Sequence, residues 1–161
     1  MPKAITPKIL GEPLGMYSHG MSTTSGELVF VAGQVGIPPG GQAAPGDVIA
    51  QTKQSLENVR TVVEAAGCTM RDVVRLQTFL TRADAIAGFM KARAEVFPGY
   101  FPDKVYPPNT LLVISGLVRP ELLVEIEAIA VRPARTAGSA RRAGKPGGRT
   151  RATSPRRRAR R

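Results

Sequence analysis

The spacing of apolar residues along the chain predicts two amphipathic helices. After Asp47, a good N-cap residue, one helical stripe recurs every three or four positions through Val48, Thr52, Leu56, Val59, Val63 and Ala66. Gly67 is placed to end this helix. A second helix is predicted from about Asp84 to Phe97, where Pro98-Gly99 would stop it; its stripe consists of Ile86, Phe89, Met90, Arg93 and Phe97.

Five other stretches have the short length and apolar content typical of β-strands. They are Met16–Met21, Glu27–Gly33, Val73–Leu80, Pro107–Leu117 and Leu122–Ala130. Ser25-Gly26 is a turn signal between the first two, so we expect these to form a hairpin. A short polar turn joins the last two.

The last predicted strand carries two carboxylates on one face. Glu125 and Glu127 are two residues apart, so both side chains point to the same side of the sheet. Like charges between apolar residues cost stability unless water, donors or a ligand receive them. This strand is therefore the first candidate for a functional site.

The element order β-β-α-β-α-β-β predicts a single α/β domain, with a mixed sheet and both helices on one face. The other face of the sheet would be partly polar or buried in an oligomer. The hydrophobic pattern stops after Val131, so residues 1–131 form the predicted domain. Residues 132–161 are rich in Arg, Ala, Gly, Ser and Pro and are predicted to be a disordered tail.

The positive charge of the chain belongs to this tail. The formal net charge is +11 over 161 residues, but residues 132–161 hold twelve Lys/Arg and no Asp/Glu. The tail either binds RNA or DNA electrostatically or is a solvated extension. It has no aromatic residue on which bases could stack.

Other sequence features predict a soluble, cytoplasmic protein. No apolar run approaches the ~20 residues that a membrane span requires. The first residues, Met1 to Thr6, lack the apolar run of a signal peptide. Cys68 is the only cysteine, which suits a reducing compartment.

Several separate blocks, in order and in register, resemble the RidA family, also called the YjgF/UK114-like family. The resemblance covers roughly residues 13–131. The blocks are Tyr17-Ser18, Leu28–Gln34, Gln51-Thr52, Leu56–Asn58, Ala65–Gly67, Asp72–Val74, Thr78–Thr81 and Leu123–Ala130.

The resemblance implies a chorismate-mutase-like fold and a homotrimer with small-molecule clefts between its subunits. It also implies hydrolytic deamination of reactive enamines and imines, of the 2-iminobutanoate and 2-iminopropanoate type, to 2-keto acids and ammonia. Neither a metal nor an organic cofactor is implied. Some members have been called translation inhibitors or endoribonucleases.

One motif departs from the family. Deaminating members open the penultimate strand with Pro-x-Arg-Ser/Thr, whose arginine pairs with the substrate carboxylate, whereas this chain has Pro107-Pro108-Asn109-Thr110. Asn109 has no charge and no bidentate fork. A charge-assisted bond contributes ~1.5–3 kcal/mol against ~1 for a neutral one, so carboxylate affinity should fall by about one to two decades.

The resemblance gives roles to other residues. Glu125 aligns with the glutamate that positions or activates the attacking water; otherwise it is a structural carboxylate. Tyr17 matches a tyrosine near the ligand, and Gly33 lies where members offer a backbone N–H. Glu127 and the lone histidine, His19, are expected to be structural.

Arg93 is the only charge on its helical stripe, and a buried-face arginine needs a partner. It would form an ion pair with Glu125, Glu127 or another carboxylate, extend to solvent, or reach the intersubunit cleft and replace the missing anion anchor. Three functions stay open: a deaminase, a non-catalytic metabolite-binding trimer, and an RNA-associated protein that uses its tail.

Overall fold

The structure, a computed structural model, describes residues 2–134. Most of the predicted tail therefore lies outside the described residues. Two helices pack on one face of a four-stranded mixed sheet, beside a small two-stranded sheet. The elements in chain order are β1 (Lys3–Ile5), β2 (Gly20–Ser22), β3 (Gly26–Val35), α1 (Val48–Ala65), β4 (Val73–Leu80), α2 (Ala85–Tyr100), β5 (Asn109–Val113) and β6 (Val124–Pro133).

The two helices lie where the apolar stripes predict them. At the start of α1, the Asp47 side chain accepts a hydrogen bond from the Ala50 N–H at 2.9 Å, which satisfies one of the free donors of the first turn. The prediction that Pro98-Gly99 ends α2 was wrong, because the helix runs to Tyr100. Pro98 lies in the last turn, where the packing of Phe97 and Phe101, with ring centroids 5.0 Å apart, offsets the missing N–H.

The order of the main sheet is β3-β6-β4-β5, in which only β4 and β5 are parallel. The predicted hairpin between the first two strands was wrong. Strand β2 pairs with β1, whereas β3 pairs with β6. The reason is length: β3 and β6 have ten residues each and satisfy one another's backbone groups over most of that length, which three-residue β2 could not do.

The core lies between the helices and one face of the sheet. It is built from alternate strand residues and the helical stripes, including Leu76, Leu80, Val124, Ile126, Leu56, Val59, Phe89 and Phe97. The opposite face, here called the open face, carries Glu125 and Glu127 on β6. It also carries the apolar residues Leu28 and Phe30, which are 56% and 71% exposed. Within residues 2–134, no element packs on the open face.

The folded part extends two residues past the predicted boundary at Val131. Strand β6 continues to Pro133, and Arg132 forms an ion pair with Glu27. The Arg132 guanidinium also donates to the Ala66 carbonyl at 3.3 Å, at the end of α1. Among residues 2–134, no helix combines the length and hydrophobicity that crossing a membrane requires.

Candidate functional site

Glu125 lies directly against the backbone of the neighbouring strand at Gly33. Strand β3 has a bulge here: Val31 is opposite Ala128 and Gln34 is opposite Ile126, so β3 has one residue more than β6 between these pairs. A Cβ atom on Gly33 would lie 1.6 Å from the Glu125 carboxylate oxygen Oε1. The carboxylate can occupy this position only because residue 33 has no side chain.

A second group of predicted residues meets at the other end of the sheet. A cavity of about 280 Å³ is lined by Tyr17, Ser18, His19, Val74, Arg75, Leu76, Pro108, Asn109 and Thr110. We call it the Tyr17–Asn109 cavity. The Thr78 hydroxyl donates to the side-chain oxygen of Asn109 at 3.0 Å, which leaves the Asn109 amide N–H groups to donate elsewhere.

The strand register separates these two groups within one chain. Asn109 is opposite Leu76 of β4 and therefore shares the helix-covered side, whereas Glu125 is opposite Phe79 and lies on the open face. The two residues are also two strands and three strand positions apart, which corresponds to about 14 Å. One chain therefore does not bring Glu125 and Asn109 to a common small ligand.

Arg93 lies in the protein interior beside the segment that carries Tyr17. Its residue is 3% exposed, and its guanidinium carbon lies 4.4 Å from the ring centroid of Phe97 and 5.4 Å from that of Phe89. It donates to the Met16 carbonyl, and burial lowers its pKa to about 10. The ion pairs of residues 2–134 do not include Arg93.

This packing gives a test of Arg93. We expect Arg93→Ala to lower the free energy of unfolding by about 3 kcal/mol, because it leaves a cavity between two rings and removes the donor to Met16. Urea denaturation measures the change. The control, Arg82→Ala, removes a half-exposed arginine and should change it by no more than about 0.5 kcal/mol. Equal effects of the two substitutions would contradict this assignment.

His19 and Cys68 have ordinary structural surroundings. His19 Nε2 lies 3.1 Å from the Gly11 carbonyl, and its ring is edge-on to Tyr17 at a centroid distance of 6.1 Å. Cys68 is 5% exposed, and burial raises the pKa of its thiol. Within residues 2–134, no three His, Cys, Asp or Glu side chains are grouped in a way that could hold a metal ion.

Sequence reasoning missed one residue of the cavity, Arg75. Alternation through Val73–Leu80 would place Arg75 on the same side as buried Val73. The structure has a bulge at this point, because Val73 is opposite Ala130 whereas Arg75 is already opposite Ile129. A cation in an apolar strand is the signal that could have indicated this break in the alternation.

Comparison with known proteins agrees with the fold. The family model described as Endoribonuclease L-PSP matches residues 9–132. A RutC family protein of Pyrococcus horikoshii is 34% identical over 122 residues, covering 75% of this chain and 90% of the relative. The Escherichia coli protein named "Putative reactive intermediate deaminase TdcF" is 33% identical over 123 residues, with the same coverage.

Solved structures give the same result. YyfB of Yersinia pestis, from the conserved Rid protein family, has a TM-score of 0.71 at 30% identity over 81% of this chain and 98% of that one. E. coli TdcF with bound serine has a TM-score of 0.61 at 30% identity over 81% and 99%.

The fold is that of a small α/β protein of the YjgF type. The chain belongs to the Endoribonuclease L-PSP family, which is the RidA/YjgF family that the sequence blocks indicated.

Proposed function

We propose that this chain is a RidA-like hydrolytic deaminase of small reactive enamines or imines, and that it works in clefts between the subunits of a homotrimer. The observation that carries the proposal is the Glu125 carboxylate held against Gly33, where a side chain is excluded. The name of the relative TdcF, which refers to a reactive intermediate deaminase, also supports it.

The trimer explains why the candidate residues form two groups. In one chain, Glu125 and Asn109 are about 14 Å apart and on different sides of the sheet. Gly33 contacts Glu125, and Tyr17 lines a cavity with Asn109. A neighbouring subunit packed on the open face would bring its own residues to each group. The exposed Leu28 and Phe30 on that face supply apolar surface for such an assembly.

In the proposed reaction, a water molecule attacks the carbon of the C=N bond. Glu125 accepts a proton from this water and returns it to the nitrogen, so a carbinolamine forms. Glu125 then transfers the proton of the carbinolamine hydroxyl to the amino group, the C–N bond breaks, ammonia leaves, and a 2-keto acid is the product. The Gly33 backbone and the Asn109 amide orient the substrate, and Tyr17 forms a wall of the site. Arg93 supports this wall through Met16 and does not contact the substrate in this proposal.

A coupled assay that generates 2-aminoacrylate and related imines tests the proposal. We expect Glu125→Gln to lower kcat/KM by at least about 100-fold, because general acid–base groups contribute 10²–10⁴ to rates. Glu127→Gln is the matched control, two residues along the same strand face, and should retain activity within about threefold. An inactive wild type, or equal effects of the two substitutions, would contradict the proposal.

The main alternative is a trimer that binds a small metabolite without catalysis. The observation that favours it is Asn109, whose oxygen is occupied by Thr78 and which carries no charge. In the same assay, activity that appears only in Asn109→Arg would support this alternative.

RNA association and a cytoplasmic location remain predictions. RNA association would depend on residues 132–161, most of which lie outside the described range. A cytoplasmic location is supported by the single cysteine of the sequence, Cys68, which suits a reducing compartment.

A further inference from the structure

We infer that Thr78 and Asn109 make the Tyr17–Asn109 cavity selective for a small uncharged ligand, whose neutral carbonyl oxygen accepts a hydrogen bond from the Asn109 amide. A carboxamide meets this requirement and a carboxylate does not. The inference deepens the proposed function, because the preferred substrate is then an imine that carries an amide in place of a carboxylate. It rests on that function only in taking the ligand to be a small carbonyl or imine compound.

The first support is the way in which Asn109 is held. Asn109 is opposite Leu76 of β4, and Thr78 follows two residues later, so the side chains of Asn109 and Thr78 are diagonal neighbours on the helix-covered side. Thr78 is 1% exposed, and its hydroxyl donates to Asn109 Oδ1 at 3.0 Å. This bond fixes the orientation of the amide. The oxygen is occupied, and the NH2 group is the end that is available to a ligand.

The second support is that the Asn109 NH2 group is accessible. Asn109 is half-buried, and the hydrogen bond of its side chain within residues 2–134 is the one from Thr78. Asn109 Nδ2 is nevertheless not among the enclosed polar side-chain atoms of these residues that lack a partner; those atoms are Thr52 Oγ1, Ser55 Oγ and Arg93 Nε. The nitrogen is therefore open to the outside. Because Asn109 lines the cavity, this nitrogen can donate to a molecule bound there.

The third support is the charge around Asn109. Among the described residues, the cavity lining includes no lysine, aspartate or glutamate, and its one arginine, Arg75, lies on the open face, where the guanidinium donates to Gln77. Arg93 is not part of this lining and donates to the Met16 carbonyl in the interior. A carboxylate bound at Asn109 would therefore lose water without gaining a cation, whereas a neutral carbonyl requires only a neutral donor.

The size of the cavity agrees with such a ligand. Its volume of about 280 Å³ is below the range for drug-sized molecules, so it fits a compound of a few heavy atoms. A small amide presents one carbonyl oxygen to the Asn109 NH2 group, and it is bound without a counter-ion.

The competing explanation is that the bond between Thr78 and Asn109 only joins β4 to β5. In that case, loss of the Thr78 hydroxyl would change stability, but it would affect a charged and an uncharged ligand alike. The ratio of the two affinities therefore separates a positioning role of Thr78 from a structural one.

Isothermal titration calorimetry of the full chain with 2-oxobutanamide and with 2-oxobutanoate, at pH 8, tests the inference. We expect wild type to bind the amide at least about tenfold more tightly than the carboxylate. Asn109→Arg supplies the missing cation and should reverse this preference, with a gain of about 10- to 100-fold for 2-oxobutanoate. Arg75→Gln removes the arginine of the open face and should leave the ratio within about twofold of the wild-type value.

Two conservative substitutions of Thr78 keep the test valid if Asn109→Arg folds poorly. Thr78→Val removes the hydroxyl at nearly the same size, so the Asn109 amide can rotate and present its oxygen to the ligand. We expect the preference for 2-oxobutanamide to fall about three- to tenfold, which is the effect of one neutral hydrogen bond. Thr78→Ser retains the hydroxyl and should retain the wild-type ratio. Urea denaturation shows whether each variant is folded.

The inference is overturned if wild type binds neither ligand or prefers 2-oxobutanoate. It is also overturned if Thr78→Val keeps the wild-type ratio, or if Thr78→Ser loses the preference as Thr78→Val does. Because only binding is measured, these outcomes are separate from a failure of the proposed deaminase. A wild type that prefers the amide but hydrolyses no imine would contradict the deaminase and support the selectivity, whereas one that deaminates 2-aminoacrylate and prefers the carboxylate would do the reverse.

Discussion

Replacing Gln51 by leucine is expected to lower the free energy of unfolding by about 3–5 kcal/mol. Gln51 is fully buried, and its amide nitrogen donates to the Ala44 carbonyl at 2.8 Å and to the Glu121 carbonyl at 2.9 Å. Its oxygen accepts from the Leu123 N–H at 2.8 Å. Leucine has a similar size but would leave three backbone groups without partners, at about 1–3 kcal/mol for each one that stays buried.

Gln54→Leu is the matched control for this prediction. Gln54 lies on the same helix and donates only to the Asn58 side chain at 2.8 Å, so its replacement should cost no more than about 1 kcal/mol. Urea denaturation compares the two variants, and hydrogen exchange at Leu123 reports the loss of its acceptor. Similar unfolding free energies for both variants would refute the role of Gln51 at the start of β6.

The position of Gln51 connects the fold to the candidate site. The Leu123 N–H donates to the Gln51 side-chain oxygen, and Leu123 lies two residues before Glu125. Helix α1 therefore fixes the position at which β6 begins. The backbone of β3 also approaches here, because a Cβ on Gly36 would lie 2.5 Å from the Cα of Gln51. The strand ends around Glu125 are therefore fixed by contacts with the first turns of a helix.

The sequence predicted the helices well because their signals are local. The stripe of α1 and the Asp47 cap lie within one stretch of chain, and each can be recognised without knowing what packs on it. Strand β4 was predicted with the observed bounds for the same reason. The family blocks predicted the fold class, which a local pattern alone would have left open.

Strand pairing could not be predicted in this way. Ser25-Gly26 has the composition of a hairpin turn, but the partner of β3 is β6, about a hundred residues further along the chain. The strand with which β3 pairs depends on which two strands match in length, and no short stretch of sequence contains that information. Family blocks also do not show bulges, and the two bulges determine where Gly33 and Arg75 lie.

For the candidate site, spacing along the sequence predicted which side chains share a face but not how they contact other strands. That Glu125 and Glu127 share a face followed from their spacing, and the structure agrees. The contact between Glu125 and Gly33 required the bulge in β3 to be known. The core position of Arg93 between two aromatic rings also depends on packing between distant residues, which its stripe on α2 did not reveal.

Gly33→Ala is expected to lower the deaminase activity by about 100-fold while the protein remains folded. The new Cβ would lie 1.6 Å from Glu125 Oε1 and 2.8 Å from its Cγ, so the Glu125 side chain must move to another rotamer. The atoms displaced belong to a flexible side chain, and we expect the free energy of unfolding to change by about 1 kcal/mol or less. The coupled imine assay measures the deaminase activity, and urea denaturation measures the free energy of unfolding.

Two controls separate this effect from a general loss of structure. Gly116→Ala adds a methyl group where no atom beyond its chain neighbours lies within 4 Å. It should therefore change neither the deaminase activity nor the free energy of unfolding. If Gly33→Ala acts by moving Glu125, the double variant Gly33→Ala/Glu125→Gln should be no less active than Glu125→Gln alone, because residues that act through one group do not have additive effects. The prediction is contradicted if Gly33→Ala remains active. It is also contradicted if the activity losses of the two substitutions multiply in the double variant, because the reaction would then not depend on the contact between the Glu125 carboxylate and Gly33.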